Sequence, residues 1–208
     1  MKIAEGAARF QTDTYPEHAD LFEGLAGGQS PETLFITCAD SRIDPAMITS
    51  SLPGEIFVLR NAGNIVPPHG PQTSGMAASI EFAIAALGVR HVVVCGHTEC
   101  GAMKGATDMD GLAGLPRVRD WLLHSVAAVG AVHAGGMDPS SDEGMRALLR
   151  ENALLQLIHL RTHPTVAAAE ASGDLTLHAW VYDIRTGAVE AHDPATGGFA
   201  PVSERYAA

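Results

Sequence analysis

The sequence predicts an α/β fold in which a mainly parallel sheet is flanked by helices, and three observations carry that prediction. Thr33-Leu-Phe-Ile-Thr-Cys38 and His91-Val-Val-Val-Cys-Gly-His97 are short, apolar and rich in β-branched residues, the profile of strands buried on both faces. Helical patterns lie between and after the strand-like runs, as parallel strands require of their crossovers. The chain is long enough, at 208 residues of which 46% are hydrophobic and 18% charged, to enclose one core. No repeat, low-complexity segment or linker divides it, so 1–208 reads as a single domain.

In chain order, residues up to about Ala26 read as a helical arm in which Pro16 marks a break. After the strand ending at Cys38, a second runs near Glu55 to Arg60, followed by the turn-rich stretch Asn61 to Pro71. A helix is predicted over about Ser74 to Leu87, with Gly88 placed as a C-terminal glycine. Asp108 to Pro116 reads as loop, and helical patterns follow over about Val118 to His133 and Glu143 to Leu160, with Pro139 and Pro164 as breaks. Asp174 to Tyr182 alternates as a strand, and Gly187 turns the chain into a candidate edge strand near Val189 to His192.

Charge and cysteine usage exclude several classes of function. Thirteen basic residues against 24 acidic ones give a net charge of -11, which disfavours non-specific attachment to nucleic acid or to an anionic membrane. Three cysteines do not make a disulfide framework, the residues after Met1 lack the apolar core of a signal peptide, and no run reaches transmembrane length. A reducing cytoplasm, in which thiolates stay available to metal, is the expected compartment.

The chemistry concentrates in Cys38-Ala-Asp-Ser-Arg42 and, 59 residues beyond Cys38, His97-Thr-Glu-Cys100. Two thiolates and one imidazole form a donor set suited to Zn²⁺, and three protein ligands leave the fourth tetrahedral position open, as catalytic sites do. Cys38 and His97 end their predicted strands, and the crevice beyond strand carboxyl ends is the usual place for a site in an open α/β sheet. Two thiolates neutralise the ion and weaken it as a Lewis acid, so an acceptor that orients bound water gains value. Asp40 is the candidate acceptor, with Arg42 placed to hold it by a directional fork.

These residues and others resemble the β-class carbonic anhydrases, in particular their bacterial and plant-like branch. The resemblance runs through Gly28-Gln-Ser-Pro31, Cys38 to Arg42, Pro53 to Asn64, Ser79-Ile-Glu-Phe82, Gly96-His-Thr-Glu-Cys-Gly101 and His178-Ala-Trp-Val-Tyr-Asp183. It implies zinc-dependent, reversible hydration of CO2 to bicarbonate by zinc-bound hydroxide, with one Zn²⁺ per chain on Cys38, His97 and Cys100 and with Asp40 and Arg42 catalytic. It further implies Phe57, Ala62, Phe82 and Gly101 at the substrate, with Gln29 reaching it from a neighbouring subunit. The strand order implied is 2-1-3-4, and the assembly is at least a homodimer, with the arm of residues 1–28 packed on the partner. A hydrolase of a CO2-like molecule such as carbon disulfide and a non-enzymatic zinc-binding module are the rival readings.

Several other residues have a plainer expectation. Cys95 shares a strand face with His97 but is expected to be a buried core thiol. His69 and His178 are the histidines to examine for proton transfer, and Glu99 either acts as a base or faces solvent. Family members inhibited by bicarbonate resemble one another in a Trp three residues before the first ligand and a Gly immediately before it. This chain has Phe35 and Thr37 there, although Tyr182 is present, so that inhibition is not expected.

Overall fold

The computed structural model describes residues 1–207, and internal contacts divide the chain into Met1–Ser30 and Pro31–Ala208. The first unit is helical: α1 (Lys2–Arg9), a π-helical stretch (Phe10–Thr14), α2 (Tyr15–Glu17) and α3 (Ala19–Leu25). None of these helices contains a buried residue, and their cohesion is aromatic: Tyr15 stacks on Phe22 at 5.3 Å between ring centroids, with Phe10 edge-on to both. The expected break at Pro16 moves to His18, which leaves helical geometry at φ -118 and ψ 18. Pro16 lies just past the π-helical stretch, within a continuous run of right-handed helical backbone.

The second unit is built on a sheet of six strands among the described residues, in the order β2-β1-β3-β4-β5-β6. Its strands are β1 (Thr33–Cys38), β2 (Ile56–Asn61), β3 (His91–His97), β4 (Thr176–Tyr182), β5 (Val189–Asp193) and β6 (Gly198–Pro201). The first four pair in parallel and β4-β5-β6 are antiparallel, so the predicted order 2-1-3-4 and the antiparallel addition at its side both hold, with β6 rather than β5 at the edge itself. The further strand β6 comes from a hairpin at Thr196-Gly197, where Gly197 has φ +72, a turn glycine. All of β1 after Thr33 and all of β3 after His91 are buried, which explains why both read as continuous apolar runs.

The helices of this unit are α4 (Pro45–Thr49), α5 (Gly75–Glu81, continued by a π-helical turn over Phe82–Ala86), α6 (Gly101–Thr107), α7 (Pro116–Leu122), α8 (Val126–Ala134), α9 (Asp142–Arg161), α10 (Pro164–Ser172) and α11 (Val202–Arg205). The helix predicted over 118–133 is broken by a 3-10 turn at Leu123–Ser125. Pro164, expected as a break, opens α10 at once because proline suits the first helical position. α9 is the longest: the Ser141 hydroxyl accepts from the Gly144 N–H at its start, and the charges of Asp142, Glu143 and Arg161 suit its dipole. It packs against β3 and β4. The main core lies on this side, where Leu34, Ile36, Val92 and Val94 meet Ala153, Leu157 and Leu160 of α9.

The opposite face of the sheet carries Phe35, Val93 and Cys95 against Trp180 and Tyr182, beside a groove of about 410 Å³ that also exposes His91, His178 and Tyr206. His178 lies 3.3 Å from His91 and 2.9 Å from the Tyr206 hydroxyl. Burial, with help from the charges of His91 and Arg205, pushes its pKa from 6.5 down to about 4. Between those two values the unfolded chain binds a proton that the folded chain refuses, so stability rises with pH across that window. Replacing His178 with Asn is expected to flatten the rise, measured as denaturation midpoints between pH 4 and 6.5; an unchanged slope would assign the pH dependence to other groups.

Candidate metal centre

The parallel register explains how two distant segments meet. Cys38 pairs with Asn61 at the end of β2, and β1 runs beside β3 from Thr33↔His91 to Thr37↔Cys95, so Cys38 and His97 emerge together at the carboxyl edge. Past His97 the chain is tied to β4, as the Thr98 N–H donates to the Tyr182 carbonyl and the Ile184 N–H donates to the Thr98 hydroxyl. Glu99 then takes a left-handed conformation at φ +59, which turns the chain so that Cys100 stands at the start of α6.

The result is a buried triangle of ligand atoms from Cys38, His97 and Cys100, all within 4.8 Å of one another. The two sulfurs are 4.0 Å apart. Two metal–sulfur bonds of about 2.3 Å meeting at a tetrahedral angle set sulfurs about 3.8 Å apart, so the spacing suits Zn²⁺. The His97 Nδ1–H donates to the Thr98 carbonyl at 2.8 Å, which directs the lone pair of Nε2 away from that bond. Nε2 itself is buried and has no hydrogen-bond partner among the described residues. A buried acceptor without a partner costs free energy, and a cation among the three donors removes that cost.

The sulfurs share one electrostatic problem. The hydrogen bond from Cys100 pulls the Cys38 thiol down to about 4, aided by His97 and the Gly63 N–H, which donates to Cys38 Sγ at 3.3 Å. The same bond, together with burial, drives Cys100 upward. Cys95 behaves differently: burial raises it to about 12, its thiol donates to the Gly96 carbonyl, and it stays outside the triangle as a core residue.

Beside the triangle, Asp40 is clamped by Arg42. Oδ1 accepts from Arg42 Nε at 2.9 Å and from its backbone N–H at 3.0 Å, while Oδ2 accepts from Nη2 at 2.7 Å. This clamp holds the carboxyl well below the usual carboxylate range. Asp40 Oδ2 lies 4.0 Å from His97 Nε2, so the carboxylate borders the point at which the ligands converge. Arg42 is steadied in turn by the Glu99 carbonyl at 3.0 Å. Arg60 braces the loop from below, donating to the carbonyls of Cys38 and Asp40.

Comparisons with known proteins identify the family. A family model described as carbonic anhydrase matches residues 33–189. A carbonic anhydrase of Pseudomonas aeruginosa is 48% identical over 202 residues, covering 97% of this chain and 91% of that protein. The solved β-carbonic anhydrase CcaA is 41% identical and superposes with a TM-score of 0.91, over 96% of this chain and 98% of its own. This chain belongs to the β-class carbonic anhydrases. One of two tetrameric β-carbonic anhydrases from Sordaria macrospora is 33% identical, with a TM-score of 0.74 over 96% of this chain and 94% of that one.

In this carbonic anhydrase the other residues expected at the site fall into two groups. Ala62 precedes the Gly63 that touches Cys38, and Gly101 follows Cys100 with open space where a side chain would stand. Phe57 lies four residues before Asn61, the residue level with Cys38, and so about 13 Å down the strand. Its ring meets Phe82, which is 47% exposed, at 6.2 Å. Gln29 is exposed in the first unit. Neither histidine considered for proton transfer adjoins the triangle: His178 is level with Val93, again about 13 Å along the strand from His97, and His69 is exposed against His163. Glu99 directs its carboxylate outward to Lys104. Phe35 and Thr37 are fully packed, Phe35 against Trp180 and Thr37 through a 2.8 Å bond to the Cys95 carbonyl.

Arg60 and Gly63 are contributors that residue chemistry alone did not single out, although both lie in the Pro53 to Asn64 stretch that carries the family resemblance. Gly63 has φ +82, and a Cβ there would come within 3.0 Å of Ala102 Cβ and Met103 Cε. Gly63→Ala is expected to destabilise the metal-free enzyme by about 2–4 kcal/mol, from backbone strain and overpacking together. A denaturant titration showing an unchanged midpoint would refute that expectation.

Proposed function

We propose that the protein hydrates CO2 reversibly to bicarbonate and a proton, with one Zn²⁺ per chain held by Cys38, His97 and Cys100. The observation that carries this reading is the partnerless His97 Nε2, buried between two thiols and 4.0 Å from a clamped carboxylate. Zinc held there supplies a Lewis acid that lowers the pKa of water from about 15.7 towards 7. The side chains do the rest. An ionised Asp40 can only accept hydrogen bonds, so it turns the O–H of the attacking oxygen towards itself and leaves a lone pair directed at CO2. Arg42 keeps that carboxylate charged and in one orientation, and so acts with it as a unit.

CO2 is small and apolar and needs little more than an apolar recess. Ala62 and the open space at Gly101 supply part of it from this chain. Phe57 sits too far down β2 to line it from within the same chain, and Phe82, in the π-helical turn after α5, packs against Phe57 rather than against the triangle, so both, like Gln29, are proposed to serve a site across a subunit boundary. On this reading the active unit is a homo-oligomer, with the arm of residues 1–28 packed on the partner. The exposed aromatic and apolar residues of that arm, Ile3, Phe10 and Tyr15, support the reading. Among the described residues no helix is long and apolar enough to cross a membrane. The proposed compartment is the cytoplasm, where the metal thiolates are kept reduced.

Stopped-flow CO2 hydration with metal analysis of the same sample tests the proposal. Cys38→Ser and Cys100→Ser are expected to lose most of their zinc and activity together, and Cys95→Ser to keep both; full zinc in Cys38→Ser would overturn the ligand assignment.

Asp40→Ala and Arg42→Ala are each expected to slow hydration by about a hundredfold or more with zinc still bound. The double variant should be little slower than the slower single one, because the pair acts as a unit. Losses that multiply would show two independent roles.

A further inference from the structure

The loop between β2 and α5 departs from regular structure while burying Gly63, Asn64, Ile65 and Val66. Buried backbone without a ladder must find its hydrogen bonds elsewhere. α9 and the residues just beyond it provide them through a stripe at positions 152, 156, 159 and 163, the spacing of one helix face. Asn152 Nδ2 donates to the Gly63 carbonyl at 3.2 Å, and Gln156 Oε1 accepts from the Val66 N–H at 2.9 Å. His159 Nδ1 donates to the Val66 carbonyl at 2.8 Å, and His163 Nε2 donates to the Pro67 carbonyl at 3.0 Å. The stripe is also tied internally, since Gln156 Nε2 donates to Asn152 Oδ1 at 2.9 Å. Asn152 and Gln156 are both buried to within 1%.

The point of this ladder lies at its first rung. Asn152 grips the carbonyl of Gly63, and the N–H of Gly63 donates to Cys38 Sγ. One residue of the loop therefore connects α9 to a metal ligand. We propose that Asn152 and Gln156 are positioning residues for the metal, fixing the Gly63 amide against Cys38 and so limiting how much electron density that thiolate gives the ion. The inference rests on the zinc reading above and extends it to residues that touch neither metal nor substrate. An N–H donor on a coordinated thiolate draws charge from sulfur, and in a site with two thiolates that preserves the Lewis acidity of the ion. Releasing the loop leaves Cys38 richer in charge but no longer held in place against the ion, and with only three protein ligands the lost placement dominates, so the metal leaves faster.

The test uses the full-length enzyme loaded with Co²⁺ in place of zinc, for which the thiolate-to-metal charge-transfer band reports sulfur electron density independently of activity. Zinc release to a chromophoric chelator is measured on parallel samples. Asn152→Leu and Gln156→Met, close in size but unable to hold the loop, are expected to move the band to lower energy and to release zinc roughly fivefold faster, the equivalent of one net hydrogen bond. His159→Leu should show a smaller shift in the same direction. His159→Asn, whose amide nitrogen stands where Nδ1 stands, should restore the wild-type band. Wild-type bands and release rates in folded Asn152→Leu and Gln156→Met would overturn the inference. Should those two variants fail to fold, identical behaviour of His159→Leu and His159→Asn would overturn it as well. A wild-type protein that takes up neither Co²⁺ nor zinc would instead overturn the metal reading itself, and this inference with it.

Discussion

Burying the imidazole of His97 with its Nε2 unpartnered, within 4.8 Å of two sulfurs, is unfavourable, and a cation among the three ligand atoms removes that cost. Much of the surrounding structure is arranged around that constraint. The imidazole is fixed by its own backbone neighbour, so its free nitrogen faces the sulfurs, and the sulfurs divide the strain unequally, with Cys38 favoured as the thiolate. Cys38 is favoured first by the hydrogen bond from Cys100, then by the imidazole and the Gly63 N–H, whereas the same sulfur–sulfur bond and burial raise Cys100.

Three elements hold this arrangement by different means. The parallel pairing of β1 with β2 and β3 sets the height of Cys38 and His97 at the carboxyl edge, since a slip of one residue would exchange the side chains packed under α9 with those on the opposite face. Arg42 and Arg60 hold the loop after Cys38 by forks to a carboxylate and to carbonyls, a geometry that lysine could not reproduce. α9 supports the loop after β2 from behind, while its apolar residues pack under the sheet. One helix therefore serves both the core and the site, which couples the stability of the domain to the placement of a ligand.

Much of this was legible in the residues. β1 and β3 were readable because total burial leaves an uninterrupted apolar run, and the Cys38, His97 and Cys100 triad because few other arrangements need that donor set. The positions that were misread or unassigned have a common cause: local signals with two meanings. Proline ends one helix and begins another, so Pro164 opens α10 and Pro16 lies inside α2 while the chain breaks at His18. The residues beyond His192 carry no pattern of their own, and only pairing across the turn at Gly197 makes β6 of them.

What the sequence by itself determined is therefore the chemistry and the core of the sheet: which side chains can bind a soft metal, that a carboxylate and a guanidinium stand two residues apart beside the first ligand, and that two apolar runs form buried strands of a mainly parallel sheet. Those follow from residue type and short-range pattern. What only the tertiary structure decided is which backbone groups support the site. The contact of Gly63 with Cys38 spans 25 residues and that of Asn152 with Gly63 spans 89, and neither has a local signature. The same holds for Phe57, which the motif placed at the substrate but the register placed about 13 Å down the strand from the ligands of its own chain. Residue type states what a group can bond to, whereas its partner is fixed only when the chain has closed on itself and every buried donor and acceptor must be satisfied at once.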